Sequence, residues 1–455
     1  MKSKLAIIIA LFAISLTQAQ LRKWTLQECV EYAVENNLTI EQFELDLENA
    51  KIDKSDAIGN FLPNLNGNTS YSSNTGFSIN PTNNLPTNTT QNNVNIGVSS
   101  NVTLFDGLQN IHRLNRAKLN AIANQYRLDD LKDDIRLNVA NAYLQVLSSK
   151  EQLKTFRAQY AVTEQDLKRT RELVESGVVP RGNLLDIEAT AADQEQQIIN
   201  GEGLVLISRV NLAQLLQITD YENFDIADDT FDIPPSDILD NSAKVIFDKA
   251  LTFRNDIKFS KTNVELAEKD LKIAKGAYLP TLSAFANYGT RYSDVAQIPV
   301  SGLPPGSPPE FFTPNFIDQL WIFDGVGYGA QINVPVFNGW STRNNVKRSK
   351  INLERAKLQF EQDKLALETD IQQAYIDVTT FFKSYEAAEK TLEARRLAYD
   401  YAKERFDVGL MNSFDFSQAQ ARVDNAEANV IRTKYDYIFR LKILEFFFGI
   451  PITLN

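Results

Sequence analysis

The chain has 455 residues but only one histidine, His112, and one cysteine, Cys29. Acyl transfer by a serine or cysteine nucleophile needs an imidazole within hydrogen-bond reach. His112 lies just inside a helix start and has no partner to nominate. Cys29 sits in the first turns of a helix, Trp24-Thr-Leu-Gln-Glu-Cys29-Val30, and reads as a small buried hydrophobe. A bundled Cys/His metal site is excluded by count, and one cysteine makes no internal disulfide. Asp and Glu total 58 against 47 Lys and Arg, but they are scattered over helical faces, where carboxylate pairs arise by chance. The formal charge of −11 opposes a protein that tracks nucleic-acid phosphates, which needs a basic face. No enzyme, cofactor or metal is expected, so the function must lie in the architecture.

The N-terminus reads as a secretory signal over residues 1–19. Lys2 and Lys4 precede an apolar run from Leu5 to Leu16, and Thr17-Gln18-Ala19 offers small residues before a cut near Gln20. The run is shorter than the ~20 residues that span a bilayer as a helix. No later stretch reaches ~18 apolar residues, so a membrane-embedded mature chain must span by strands.

The chain repeats itself. A shift of 232 places Asn101-Val-Thr-Leu-Phe-Asp-Gly107 on Asn333-Val-Pro-Val-Phe-Asn-Gly339. Without a gap it also places Gly177 on Gly409 and Ile218 on Ile450. Earlier, a shift of 217 matches Gly59-Asn-Phe-Leu-Pro63 to Gly276-Ala-Tyr-Leu-Pro280. The shifts differ by 15, an insertion assigned to the Pro-rich run from Pro299 to Pro314. The expected organisation is a first repeat over 20–219 with a β-hairpin at 63–105, an acidic linker over 220–240 containing Pro234-Pro235, and a second repeat over 241–455 with a hairpin at 280–337.

Each repeat opens with a helix. Thr25 and Glu28 form a capping-box pattern, and the helix is expected to run to about Phe61, before Pro63; its second-copy partner runs to about Tyr278. Two strands of period two follow. Leu65, Thr69, Tyr71, Phe77 and Ile79 alternate with Asn and Ser. After an Asn/Thr-rich stretch from Asn80 to Asn92, Val94, Ile96, Val98, Val102 and Leu104 do the same. The second copy repeats this with Leu282, Ala284, Ala286 and Tyr288, then Tyr328, Ala330, Ile332, Val334 and Val336. Alternation against a nearly uncharged Asn/Ser face is the pattern of a barrel strand between lipid and a wet lumen.

At Asp106 and Asn338 the chain can cap the next helix. From Leu108 to about Ser176, and from Trp340 to about Val408, there is no Pro or Gly. Such helices reach roughly 100 Å at ~1.5 Å per residue. Leu367, Ile371, Ala374, Val378, Phe381, Tyr385, Ala388 and Leu392 form a heptad seam, so the helix packs as a coiled coil. Return helices start near Asn183 and Ser413. Four strands cannot close a barrel, and an open edge in lipid leaves backbone groups unpaired. Oligomerisation follows, as a dimer with eight strands or a trimer with twelve; the small polar inward faces favour the wider one.

The duplication, the Leu62-Pro63 and Leu279-Pro280 joints, the Phe-Asp/Asn-Gly joints and the tip Val408-Gly409-Leu410 with Asp415 resemble those of the TolC-like outer-membrane factors. These are the exit ducts of tripartite efflux pumps and type I secretion. The resemblance covers essentially the whole mature chain. It implies an α+β homotrimer in the Gram-negative outer membrane. Twelve shared strands would form the transmembrane β-barrel, and long helical hairpins a periplasmic α-barrel. It implies as partners a periplasmic adaptor (membrane fusion) protein, an inner-membrane transporter of RND or ABC type, and outer-membrane lipid, with no nucleic acid. By position, Val408, Gly409 and Leu410 match the adaptor-docking tip, with Ser176, Gly177 and Val178 as first-copy equivalents. Asp415 matches an acidic ring that narrows the aperture, and alternatively is a dipole-favoured acid at a helix start. Its first-copy match is Asn183, not an acid, and Met411 stands where some members carry a gating arginine, which argues against a charge-locked gate.

Overall fold

The computed structural model describes residues 23–79, 84–227, 233, 236–302, 304 and 306–450. The signal segment and Pro234-Pro235 lie outside them. One element order runs twice. In the first repeat α1 (Leu26–Asn36), α2 (Leu38–Gly59), β1 (Asn64–Ile79), β2 (Pro86–Phe105), α3 (Gln109–Glu175) and α4 (Arg181–Leu215) follow one another. The second repeat has α5 (Ala243–Phe253), α6 (Asn255–Gly276), β3 (Thr281–Ser293), a short α7 (Phe316–Ile322), β4 (Gly325–Asn333), α8 (Ser341–Asp407) and α9 (Ser413–Phe448).

The opening helix of each repeat, expected as one piece, is two. Asn37 takes an extended conformation that ends α1, and its Oδ1 accepts from the backbone N–H of Thr39 at 2.9 Å, starting α2. The 217 shift maps Asn37 to Arg254, which likewise leaves the helical region, at φ −57° and ψ 131°, between α5 and α6. Side-chain bonds to the backbone compete with the helix ladder here. The capping box at Thr25 and Glu28 is present in both directions.

The chain divides into two compact units. The first takes residues through Asp46, Asn124–Ser260 and from Gln359 on. Its core has two clusters. One joins Cys29, Val139, Tyr143, Leu212, Leu216 and Ile438. The other joins Ile246, Ala250, Ile371, Val378, Leu441 and Leu444. The seam positions Leu367, Ile371, Ala374, Val378 and Ala388 are all buried. Within the acidic segment at 220–240, several of the described residues are packed. Phe224, Ile226 and Ile238 are buried, and Asp225–Ile226 pairs in parallel with Lys23–Trp24. Burial of apolar side chains at ~25 cal/mol per Å² holds such a segment down.

The second unit, Leu47–Ala123 and Lys261–Leu358, carries a four-stranded antiparallel sheet of order β1-β2-β3-β4. The two hairpins share a register: Asn64 lies opposite Asn101, and Thr281 opposite Asn333. Shifts of 217 and 232 convert the first pair into the second. Leu65, Tyr71, Phe77, Val326, Tyr328 and Ile332 share one side of the sheet and are each more than 60% exposed. So large an apolar surface suits lipid, not water. No helix among the described residues is long and apolar enough to cross a membrane.

The sheet departs from expectation at its outer ends. β2 begins at Pro86, inside the stretch read as a loop, because polar cross-strand pairs extend the ladder. Thr75 and Thr90 hydroxyls meet at 3.0 Å, and Tyr71 Oη donates to Asn92 Oδ1 at 3.0 Å. In the second hairpin the ladder stops at Gly289 and Gly325. Helix α7 takes the place of more strand there, and β4 ends at Asn333, short of Val334 and Val336.

Candidate functional site: the helical tips

Each long helix ends at a glycine with left-handed φ, +74° at Gly177 and +76° at Gly409. The N–H of Val178 bonds to Leu173 O at 2.9 Å, and that of Gly177 to Val174 O at 3.0 Å. Leu410 and Gly409 make the same two bonds to Arg405 O and Phe406 O, at 2.7 and 3.0 Å. This is the Schellman arrangement, in which the first residue past the helix is left-handed and glycine carries no Cβ penalty. The bend leaves Val178, Val408 and Leu410 projecting, 66%, 69% and 71% exposed. Ser176 turns back, its hydroxyl donating to Glu172 O at 2.7 Å.

The return helices start differently. α4 begins behind Pro180, which offers no side-chain cap, while Asn412 caps α9 through the N–H of Asp415 at 2.8 Å. Asn412 Nδ2 also donates to Asp415 Oδ2 at 2.9 Å, so the exposed Asp415 carboxylate serves the helix start. Asn183, its counterpart, is half-buried and accepts from the Ser413 hydroxyl at 3.3 Å. Asp186 Oδ2 accepts from the same hydroxyl at 2.5 Å. The fold thus brings the second tip against the first through Ser413, a contact no local pattern signals, since its partners lie more than 200 residues away.

Between the tips lies a cleft of about 490 Å³, lined by Asp166, Arg169, Val178, Lys403, Met411 and Phe416. Phe406 and Phe416 stack at 4.5 Å, and Arg169 pairs with Asp407 at 2.9 Å. Burial raises the Asp166 carboxyl and pushes the Tyr399 hydroxyl up to about 12. Deeper along α9, burial pushes Asp424 up to about 6, although Gln194 Nε2 donates to it at 2.9 Å.

The Asp424 shift has a definite sign. The folded chain holds this proton more tightly than an unfolded one, whose aspartate titrates near 3.9. The penalty is fully present above about pH 6, and it is relieved as pH falls from there toward 4. Asp424→Asn should therefore stabilise the helical unit by of order 1–3 kcal/mol at pH 8 and flatten its stability between pH 4 and 7. Thermal melts across that range read the effect; an unchanged pH profile contradicts it.

The lone cysteine and the lone histidine both have shifted ionisation. Burial pushes the Cys29 thiol up to about 12, which makes it inert. Burial and the lysines Lys272 and Lys269 lower His112. Among the described residues no group of three or more His, Cys, Asp or Glu could hold a metal ion.

A family model described as outer membrane efflux protein matches residues 30–216 and 246–447. Outer membrane protein TolC of Vibrio cholerae serotype O1 is 22% identical over 306 residues, covering 66% of this chain and 64% of that protein. The toluene efflux pump outer membrane protein TtgC of Pseudomonas putida is 22% identical over 314 residues, 65% of this chain and 56% of that one. The chain thus spans less than two thirds of the length of these relatives. Among solved structures, the Campylobacter jejuni CmeC outer membrane channel superposes with a TM-score of 0.77 at 20% identity, over 93% of this chain and 85% of that one. The Vibrio cholerae outer membrane protein VceC gives 0.76 at 15% identity, over 93% and 96%. Both likenesses concern the fold. With most of both repeats matched by one model, the chain belongs to the outer membrane efflux protein family.

Proposed function

We propose that three copies of this chain close into an outer-membrane channel, the passive exit duct of a tripartite efflux or type I secretion system. The observation that carries the reading is a joint left half-made. Gly107 packs so closely on Gly276 that a Cβ on Gly276 would stand 2.6 Å from Gly107 O. The repeat shifts map Gly107 to Gly339 and Gly276 to Gly59. Within one chain, nothing stands within 4 Å of a Cβ built on either Gly339 or Gly59. The same joint can form only with another copy, Gly339 against the partner subunit's Gly59. Head-to-tail contacts close into a ring when their rotation closes, and this reading takes that closure. β1 and β4, the free edges of a four-stranded sheet, then pair around it. Three copies make twelve strands, enough for a lumen.

In this reading Val408, Gly409 and Leu410, with Ser176, Gly177 and Val178, dock a periplasmic adaptor that couples the duct to an inner-membrane transporter of RND or ABC type. The exposed apolar ends on rigid Schellman bends support this. Asp415 and Asn183 line the aperture. The Ser413–Asn183 contact within the chain maps onto Arg181 of the partner subunit against Asp415, an ion pair across the seam.

Cell fractionation, sizing of the purified protein and planar-bilayer conductance test the channel. Outer-membrane trimers with discrete conductance are expected; a soluble, non-conducting monomer sinks the reading. Proline cannot adopt the left-handed φ of Gly409. Gly409→Pro should therefore abolish adaptor crosslinking while leaving trimers intact, and unchanged export would refute the docking assignment.

A further inference from the structure

The outer end of the second hairpin is built unlike the first. A shift of 232 maps residues 86–92, strand in the first hairpin, onto 318–324, which here are mostly α7. The helix is strapped to β3 along one side. Gln319 is fully buried; its Oε1 accepts from Ser293 N at 2.9 Å, and its Nε2 donates to Pro314 O at 2.9 Å. Thr290 Oγ1 donates to Leu320 O at 2.6 Å, and the Phe316 ring lies 4.9 Å from that of Tyr292. At 100° per residue, Ile317 and Trp321 project on the side opposite Gln319. They are 59% and 74% exposed. A helix so firmly tied to the sheet leaves two large apolar side chains uncovered.

Repeat symmetry says what lies beside them. The inference rests on the closed ring proposed above. There β4 joins the partner subunit's β1 as β2 joins β3 within the chain. Ser99 opposite Asn287 becomes Gln331 opposite Ser70 of the partner subunit. Asn93 opposite Ser293 becomes Gly325 opposite the partner subunit's Gly76. β4 begins only at that residue, whereas β1 continues to Ile79. Phe77 and Ile79 lie on the lipid-facing side with Tyr71 and are 79% and 60% exposed in the single chain. Past Gly325 the chain that meets this overhang is α7, not strand.

We propose that α7 is an intersubunit wedge, its Ile317 and Trp321 seated on Phe77 and Ile79 of the partner subunit, capping the strand edge that β4 is too short to cover. Uncovered edges are where sheets mispair, and a helix laid over one is a standard remedy. The first repeat's β2 meets its neighbour inside the chain, where β3 ends at Ser293 beside Asn93. There Asp294 accepts from the N–H of Asn92 at 2.9 Å. A single polar residue closes that seam within the chain; the seam between chains takes a helix.

Engineered cysteine pairs in the full chain, purified as trimers in lipid nanodiscs, test this against a clean background, since the Cys29 thiol is buried and inert. The pair Gln331→Cys with Ser70→Cys reports the strand seam, and the pair Trp321→Cys with Phe77→Cys reports the wedge. Oxidation should link both pairs into covalent trimers. Trp321→Ala should speed trimer dissociation by about ten-fold or more, the loss typical of a central aromatic anchor. If the seam pair links and the wedge pair does not, the wedge is overturned and the ring stands. The wedge is likewise overturned if a fluorophore on Trp321→Cys is quenched by spin-labelled lipid, which would assign α7 to the bilayer. If neither pair links, the ring and the wedge fail together.

Discussion

Gly59→Leu should leave the single chain folded and reduce the trimer by a hundred-fold or more. Gly59 is the last residue of α2, and a Cβ there meets nothing in its own chain. Leucine is also a better helix former than glycine by ~0.8 kcal/mol, so the helix itself should not suffer. In the closed ring, however, residue 59 takes the position that Gly276 takes against Gly107. There a Cβ would sit 2.6 Å from the Gln109 side chain and from Gly107 O. A backbone oxygen cannot step aside cheaply, and overpacking of this kind typically costs about 1–3 kcal/mol or more per site. A cyclic trimer repeats the cost at three seams. Gly276→Leu is the matched control, because its clash is internal. It should lower the stability of the strand-bearing unit itself, with loss of folded protein rather than of assembly alone. Sizing in detergent and far-UV circular dichroism separate the two outcomes. Intact Gly59→Leu trimers would remove the main support for the ring.

Lys442→Met should cost the helical unit about 3–5 kcal/mol. Lys442 Nζ and Glu445 Oε2 pair at 2.9 Å with side chains only 8% and 6% exposed. They sit beside Leu441 and Leu444 in the second core cluster. Removing one partner strands a desolvated charge, whereas removing both does not. The double variant Lys442→Met/Glu445→Leu should therefore recover most of the loss. Thermal unfolding of the two variants against the parent decides it. A single variant as stable as the parent would mean that water reaches the remaining carboxylate.

Much of this architecture is local and periodic, and so is readable in one dimension. The period-two alternation from Leu65 to Ile79 determines which side of β1 meets lipid, because successive side chains point to opposite faces. The heptad from Leu367 to Ala388 determines the buried seam of α8. Gly177 and Gly409 mark the tips because glycine alone enters left-handed φ without penalty. The two shifts, 217 and 232, set hairpin registers that the sheet reproduces.

Other features leave no period in the sequence. The break at Asn37 lies inside what reads as one helix, yet a single side chain ends α1 and starts α2. At the matching Arg254 the guanidinium is 11% exposed, 2.8 Å from Asp256 and 3.8 Å from Asp130. Burial and Asp256 push Asp130 up to about 6. The tip contact of Ser413 with Asn183 and Asp186 joins the two repeats through side chains 230 and 227 residues apart. Helix α7 follows a Pro-rich run with no apolar periodicity of its own; Asn315 caps its start, and Thr290, Tyr292 and Ser293 of β3 give it a surface to fold against.

The sequence by itself therefore determined the duplication, the strand faces, the long helices and the count of four long strands, since each is a matter of spacing along the chain or of counting strands. Only the tertiary structure decided what replaces the outer strand of the second hairpin and which glycines are left without a partner. Those turn on buried polar groups finding partners and on close backbone approach, and neither leaves a period in the sequence.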